Sequence, residues 1–549
     1  METVNLNASD IRFHVYNISQ LNDNKRSMNN LLVLYAANIT GEAFQPVFDG
    51  KNAIEACFEQ AARFPGVTKT VLLASSHGDF SFLKDAQIEQ KDSWTKRSLL
   101  TRISELQADF DCIYFAFADS PFLDPSLADA IVKRHIKYAA EYSYADGWPF
   151  ALAPEILSPG TAGILAKILG DEDGPVEKDI LFSVIQKDIN AFDIEAEISS
   201  VDLRSHRINL CADSKRNLTL LKNFYNAAGK IPSASDVERI IEEQPQILRT
   251  LPAFYPIQVY GGCPQKCGIC PYPVFADSSE RKDFMDTQKF ETLLDKITDF
   301  SGDAVIDLSL WGELSLHPEK MKLIENVLKR PNLSLVIETS GIGWKSCELE
   351  ECSRLCAAYS KKIPGNSKNP APSLSWIVSL DTADTALYSK LRGNGFADAQ
   401  ECAKTLFSLF PNDTYVQAVR LKGSEDDTEK FYRYWKENSP NGEKNIIIQK
   451  YDDFCGCLEK KQASDISPVI RQSCWHIMRD FPVLIDGTVP LCREDLTALK
   501  GASKKILGNV FTDSLESIWQ NGEKYYKEQC EKKYCEGCVD CDEYYTYNF

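Results

Sequence analysis

No stretch of the chain approaches the ~18 consecutive apolar residues that a membrane-spanning helix needs. The first residues, Met1-Glu-Thr-Val-Asn-Leu-Asn, have neither a basic start nor an apolar core, so they do not read as an export signal. A basic excess is missing too: 79 acidic residues against 61 basic ones give a formal charge of −18. That balance argues against a nucleic-acid partner, which needs a basic face for the phosphate backbone. We found no internal repeat and no low-complexity tract. What remains is the composition of an ordinary globular protein, 44% hydrophobic and 26% charged over 549 residues. That length suggests three or four domains at about 150 residues each. A cytoplasmic location with no membrane partner is the expectation.

Cysteine is abundant and unevenly placed. Cys57, Cys112 and Cys211 are scattered through the first half. Cys263, Cys267 and Cys270 fall within Tyr260-Gly-Gly-Cys-Pro-Gln-Lys-Cys-Gly-Ile-Cys-Pro, a C-x3-C-x2-C loop after an apolar, strand-like run. A final group comprises Cys455, Cys457, Cys474, Cys492, Cys530, Cys535, Cys538 and Cys541. Without an export signal, clustered cysteines point to metal or redox chemistry rather than disulfides. A zinc ribbon would need a second ligand pair about 15–20 residues on, and the cysteine after Cys270 is Cys347. Three thiolates on one loop suit an iron–sulfur cluster and leave its fourth position open. An open coordination position marks a working metal centre.

Periodicity divides the chain. To about residue 225, continuous apolar runs (Leu31 to Ala37, Thr70 to Ser75, Cys112 to Ala118) alternate with helical patterns such as Ala53 to Phe64. This predicts a parallel sheet covered on both faces. Residues 230–250 read as a linker with a short acidic helix, Val237 to Gln244. A more regular βα series follows. Strands are expected at 257–260, 303–310, 333–338, 374–380, 414–421 and 445–450. Helices are expected at 286–299, 318–329, 346–359, 383–391 with 397–409, and 426–438. Six such steps predict a partial or closed parallel barrel, whose chemistry sits at the C-terminal ends of its strands. The cysteine loop follows the first of them. Lys361 to Ser373 reads as a loop by composition. Cys347, Cys352 and Cys356, one turn apart on a predicted helix, read as small buried hydrophobes, and His317 and His476 have no ligand partner in sequence. Beyond residue 455 core-forming patterns thin out, and metal cross-links are expected to hold the shape.

Residues 255–452 resemble the radical S-adenosylmethionine (SAM) enzymes. The cysteine loop carries the resemblance first, with further matches in order at the strand ends. Trp311-Gly-Glu-Leu resembles the family's Gly-Gly-Glu-Pro segment, and Glu338-Thr-Ser-Gly its E-T-N-G run. Ser379-Leu-Asp381 resembles the S-L-D run near the SAM ribose, and Tyr388-Ser-Lys-Leu-Arg-Gly393 the helix after it. The resemblance implies a 4Fe–4S cluster on Cys263, Cys267 and Cys270, with SAM on the open iron. It implies SAM contacts from Gly312, Glu313, Ser340, Ser379, Asp381, Arg392 and Gln417, and a reducing donor such as flavodoxin or ferredoxin. Ile269 stands where the family usually has an aromatic residue, so weaker SAM affinity is expected.

Cys474-x12-Gly487-x4-Cys492 resembles the opening of a SPASM domain. Val483 to Cys492 would form its hairpin, with Asp486-Gly487 as the turn. Gly508 to Trp519 would enter its helix, with Asp513 or Ser514 as the cap. Cys530, Cys535, Cys538 and Cys541 fit the last ligand group, and Cys455 and Cys457 would supply missing ligands for one or two auxiliary 4Fe–4S clusters. Structural zinc is the alternative for these C-x2-C pairs. The first part, 31–210, resembles sugar-nucleotide-forming nucleotidyltransferases through Leu32 to Ala37, Asp49-Gly-Lys51-Asn-Ala-Ile and Asp119-Ser-Pro-Phe-Leu-Asp-Pro. Its catalytic loop position holds Asn38-Ile-Thr-Gly-Glu-Ala-Phe, with one Gly and no cation to cradle phosphates. The domain is therefore expected to bind without catalysing.

The whole order resembles the spiro-SPASM family: a Rossmann-like nucleotidyltransferase-type α/β domain over 1–229, a linker over 230–250, a radical SAM (βα)6 partial barrel over 251–454, and a small Cys-rich SPASM domain over 455–549. The resemblance implies an oxidoreductase or maturase acting on a C–H bond of a peptide or protein. A sugar, sugar nucleotide or aminocyclitol is the alternative substrate, and a non-catalytic iron–sulfur scaffold or electron carrier the alternative role.

Overall fold

The computed structural model describes residues 28–76, 78–275, 283–359, 373–464 and 466–546. The first residues of the chain and the predicted loop from Lys361, apart from Ser373, lie outside them.

The first sheet has seven strands: β1 (Asn30–Ala36), β2 (Val67–Ser75), β3 (Gln87–Lys91), β4 (Ile113–Phe117), β5 (Tyr142–Asp146), β6 (Glu155–Leu157) and β7 (Ile194–Ile198), in the order β3-β2-β1-β4-β6-β5-β7. Period-two alternation divides its apolar runs between two cores. Leu32, Leu34, Leu72, Tyr114 and Ala116 face one; Leu31, Val33, Val71, Leu73, Ile113 and Phe115 face the other. The sheet is not wholly parallel, as the sequence suggested: β6 runs antiparallel to β4 and β5. The connection from Asp146 to Glu155 is too short for the crossover of a dozen or more residues that a parallel neighbour requires. Within the predicted linker, the helix Ala234–Glu243 is capped by a Ser233–Asp236 box. It buries Val237, Ile240 and Ile241 in the core that also holds Leu218 and Phe224.

The second sheet comprises β8 (Phe254–Pro256), β9 (Ala304–Asp307), β10 (Leu333–Thr339), β11 (Leu374–Ser379), β12 (Thr414–Arg420) and β13 (Ile446–Lys450). They are parallel and lie in sequential order, with β8 and β13 at the two edges: a partial barrel. Helices Thr287–Ser301, Lys320–Leu328, Ser346–Ala358, Phe396–Leu409 and Glu425–Asn438 return the chain between strands. Regular pairing in the first strand lies earlier than the expected 257–260. Ile257 N still donates to Asp307 O of β9 at 2.7 Å, while the other edge of the strand meets a second neighbour, with Phe481 N donating to Phe254 O at 2.8 Å. Val483 N donates to Pro256 O at 2.9 Å and Gln258 N to Val483 O at 2.8 Å. The C-terminal region thus covers the open edge of β8, which would otherwise present unpaired backbone groups.

The expected hairpin at 483–492 is only a turn. Leu484 N donates to Thr488 O at 2.8 Å across Asp486-Gly487, but the arms diverge. One follows β8, while β14 (Thr488–Pro490) pairs antiparallel with β15 (Ile506–Asn509). Ser514 caps the helix Leu515–Asn521. Of the three helix cysteines, Cys352 is buried and Cys347 is exposed, against expectation, near the helix start. His317 is held by Met285 O and Glu319 N, and His476 by Asp480 and Thr546. No helix among the described residues is long and apolar enough to cross a membrane.

Candidate functional site

The cysteine loop leaves β8 and meets the loop after β9 backbone to backbone. A Cβ on Gly312 would stand 1.8 Å from Tyr260 O, so only glycine fits. Glu313 N donates to Gly262 O at 2.9 Å, and Gln258 Nε2 to Trp311 O at 2.9 Å. Trp311 holds φ at +48°. It keeps a left-handed backbone that side chains other than glycine rarely adopt, at a cost of about 1–2 kcal/mol. Its ring packs between Tyr272 and Phe454.

The loop is fastened on its other side by Gln265, which sequence reading missed. Its side chain donates to Tyr388 OH at 2.9 Å and Asn394 O at 3.2 Å, and accepts from Arg392 Nε at 3.2 Å. Gly268 N donates to Leu391 O at 3.1 Å. Arg392 and Asp381 form a buried ion pair at 2.6 Å. Asp381, with φ +63°, also accepts from Val419 N at 2.9 Å. The Tyr388–Gly393 segment therefore holds the cysteine loop through Tyr388, Leu391 and Arg392.

Two carboxylates organise the strand ends. Glu313 is buried, and burial raises its pKa. It accepts from Thr339 Oγ1 at 2.6 Å and from Ser340 N at 2.8 Å, tying the loop after β9 to the end of β10. Glu338 is exposed and accepts from Ser379 Oγ at 2.9 Å and Gln417 Nε2 at 2.8 Å, forming a row across β10, β11 and β12. Asp307, at the end of β9, is pushed up to about 7, chiefly by burial. The predicted positions at the ends of β9 to β12 thus bond with one another.

The three loop thiols lie close enough to act on each other electrostatically. Burial pushes Cys263 and Cys270 up to about 12 and raises Cys267, which Arg392 partly offsets. Buried thiols so reluctant to ionise become thiolates when a soft cation matches their charge, and three on one loop are an iron–sulfur donor set. The residues fit a cluster with an open position.

The C-terminal thiols form a second set. Cys535 Sγ and Cys538 Sγ are 3.5 Å apart, and the hydrogen bond between them lowers the pKa of Cys535. Cys455 pairs with Cys541 and lowers its pKa. Cys474, buried, and Cys492, half-buried, lie within electrostatic reach of Cys541 and Cys538. Cys530 accepts from Ser473 Oγ at 3.2 Å beside Tyr526, and Cys457 is exposed beside Asp452, Asp453 and Glu494. Paired thiols that share a proton are poised to bind metal once it is displaced. In the first domain, Lys51 is a surface residue bound to Glu59 at 2.7 Å, and Asp119 is buried against Lys178.

Residues 474–542 match the family model described as SPASM, an iron–sulfur cluster-binding domain. An uncharacterised protein of Treponema pallidum is 33% identical over 376 residues, which is 67% of this chain and 98% of that one. The spore coat polysaccharide biosynthesis protein SpsF of Bacillus subtilis is 24% identical over 129 residues, 23% of this chain and 53% of that one. Streptococcus suis SuiB, solved with its precursor peptide SuiA, overlays at a TM-score of 0.38 and 14% identity, over 62% of this chain and 76% of that one. A likeness so partial carries no assignment. The partial barrel, the loop of three thiols and the SPASM match define a radical SAM/SPASM protein with a nucleotidyltransferase-like first domain. Within that class, the chain belongs to one family with the Treponema pallidum protein.

Proposed function

We propose that the chain is a radical SAM enzyme that modifies an unactivated C–H bond, with a peptide or protein as its substrate. When bound, a reduced 4Fe–4S cluster with SAM on its open position would supply reductive cleavage of SAM, and with it a carbon radical able to take a hydrogen atom from an unactivated carbon. Cys263, Cys267 and Cys270 would hold that cluster. Gly312, Glu313 and Ser340 would receive the amino-acid end of SAM, and Ser379, Asp381 and Gln417 its ribose side, with Arg392 fixing Asp381 and the loop together. Exclusion of water would fall to the C-terminal region, whose strand-like arm covers the edge of β8. Cys455, Cys474, Cys492, Cys530, Cys535, Cys538 and Cys541, with Cys457 at the surface, would hold one or two auxiliary clusters. Flavodoxin or ferredoxin would supply the reducing electron, and the domain limits expected from sequence complete the proposal. The observation that carries it is the thiol loop seated at the C-terminal end of β8 and bonded to the loop after β9 and to the end of the helix that follows β11.

The test is anaerobic reconstitution with iron and sulfide, followed by SAM and dithionite. 5′-Deoxyadenosine and methionine should appear, and replacing the three loop cysteines by alanine should abolish them. Intact SAM after reduction of a fully loaded protein would refute the reading and leave an electron carrier. The similarity to SpsF, a polysaccharide biosynthesis protein, favours a sugar or aminocyclitol as second substrate class. Deuterium carried from labelled candidates into 5′-deoxyadenosine separates the two.

A further inference from the structure

The strand order of the first sheet reverses between β1 and β4. Open α/β sheets bind ligands beyond the carboxyl ends of the strands at such a point. Here that place holds a buried polar knot. Asp119 and Ser120 follow β4, and Ala212 N donates to Asp119 O at 2.7 Å, bringing Cys211 and Asp213 alongside. One donor atom each of Asp119, Cys211 and Asp213 lies within 4.8 Å of the others, a spacing that could take a cation. Nucleotidyl transfer on such a fold uses a divalent cation to hold the phosphates and offset developing charge.

The space is already filled. Lys178 Nζ lies 2.5 and 2.6 Å from the two carboxylate oxygens of Asp119, and both side chains are 2% exposed. Divalent cations sit at about 2.0–2.6 Å from oxygen ligands. An ion on Asp119 and the ammonium would therefore contend for one position. Asp213 and Cys211 also feel the Lys178 charge. Asp213 is fixed by Asn209 at 3.2 Å and Asn217 at 2.8 Å. The Phe117 ring backs the ammonium at 4.5 Å. On the same side the Tyr35 hydroxyl is buried with no hydrogen-bond partner among the described residues, within reach of the Lys178 charge. The segment that would cradle a triphosphate is tied down over the knot, with Asn38 donating to Val176 O at 3.3 Å and Thr40 to Ala212 O at 3.4 Å.

We infer that the first domain has exchanged a divalent-cation site for a fixed internal cation. Lys178 occupies the position between Asp119, Asp213 and Cys211, and the domain carries out no metal-dependent nucleotidyl transfer. The ammonium is committed to Asp119 and cannot bridge phosphate oxygens as a metal does. Because the ion pair is built from the chain, the segment after β4 is tied to the residues before the helix Ile180–Ile185 without a metal.

The probe is Mn2+, titrated into the full-length, cluster-loaded protein while the free aquo-ion signal is followed by electron paramagnetic resonance. The parent chain and Asp119→Asn should bind the same number of Mn2+ ions. Lys178→Ala should bind one more per chain than the parent, and Lys178→Ala with Asp119→Asn should lose it. If Asp119→Asn removes one ion from the parent, or if folded Lys178→Ala gains none, the inference is overturned. A measurement without variants stands beside these. The parent chain given labelled nucleoside triphosphates, sugar phosphates and Mg2+ should form no labelled sugar nucleotide, and Mg2+-dependent formation would overturn the inference.

Discussion

Gly312 and Gly268 flank the same site and answer to different constraints. A Cβ at position 312 collides with a backbone carbonyl, which cannot rotate away, whereas at 268 it meets nothing within 4 Å. Gly312→Ala should force apart the cysteine loop and the loop after β9, costing about 1–3 kcal/mol or more as overpacking, and it should weaken SAM binding. Gly268→Ala should leave stability within about 0.5 kcal/mol, the usual range for surface changes. Thermal unfolding of the two variants side by side decides it, and equal losses would contradict the geometry. Arg392 poses a related question. Removing it leaves Asp381 buried and unpaired, so Arg392→Met should cost about 3–5 kcal/mol, and Arg392→Met with Asp381→Asn should recover much of that. Additive losses in the double variant would show that the two charges do not depend on each other. Gln265, which joins this pair to the loop, had no legible signal, because a polar residue inside a cysteine motif looks like filler. Lys178 was equally silent: its carboxylate partner lies 59 residues away in sequence.

Among elements, the barrel strands were the most legible. β10, β11 and β12 are apolar runs bounded by turn residues, and both their existence and their parallel order follow from the helices between them. β6 was not legible. Three residues carry too little periodicity, and its direction is set by a short connection rather than by its own composition. The Asp486-Gly487 turn was read correctly, but turn chemistry fixes the turn and not the partners of the arms, which tertiary neighbours chose. The β5–β6 pair has a testable support in His135, on the helix Pro125–Lys137. The buried ring is hydrogen-bonded to Ser143 on β5 at 2.8 Å and to Ser158 just beyond β6 at 3.0 Å. Burial pushes it down to about 4. The folded state thus resists a proton that the unfolded chain accepts near pH 6.5. The associated stability is complete above pH 6.5 and is lost progressively as pH falls to 4, by roughly 3 kcal/mol. Denaturant midpoints measured from pH 7 to 4 should fall more steeply for the parent than for His135→Asn. Parallel curves would mean that this ring does not set the acid limb.

At the scale of the whole molecule, the question is whether the C-terminal region is an appendage or part of the barrel. Trp519 decides in favour of the second. It is 6% exposed within the same core as Tyr255, Ile257 and the barrel helices, and it stacks on Phe481 at 6.2 Å. Its indole N–H donates to Thr250 O at 2.7 Å. Arg249 lies 3.5 Å over its ring and donates to Trp519 O at 2.9 Å and Ile477 O at 3.1 Å. Burial lowers the pKa of Arg249 to about 10. Two residues just before β8 therefore grip the helix that follows β15, and the arm at 480–483 completes the barrel edge. Such coupling predicts that the barrel and the cysteine-rich region unfold together. Trp519→Ala should cost about 3–5 kcal/mol, as large-to-small changes in a core do, and should lower one shared calorimetric transition rather than a separate one. The same variant should make the loop cluster at Cys263, Cys267 and Cys270 easier to strip with chelator, although no atom of Trp519 touches that loop in the bonds described above. If instead a small transition moved alone and loop iron stayed as resistant as before, the cysteine-rich region would be folding by itself, and the covered edge of β8 would be a contact without energetic weight.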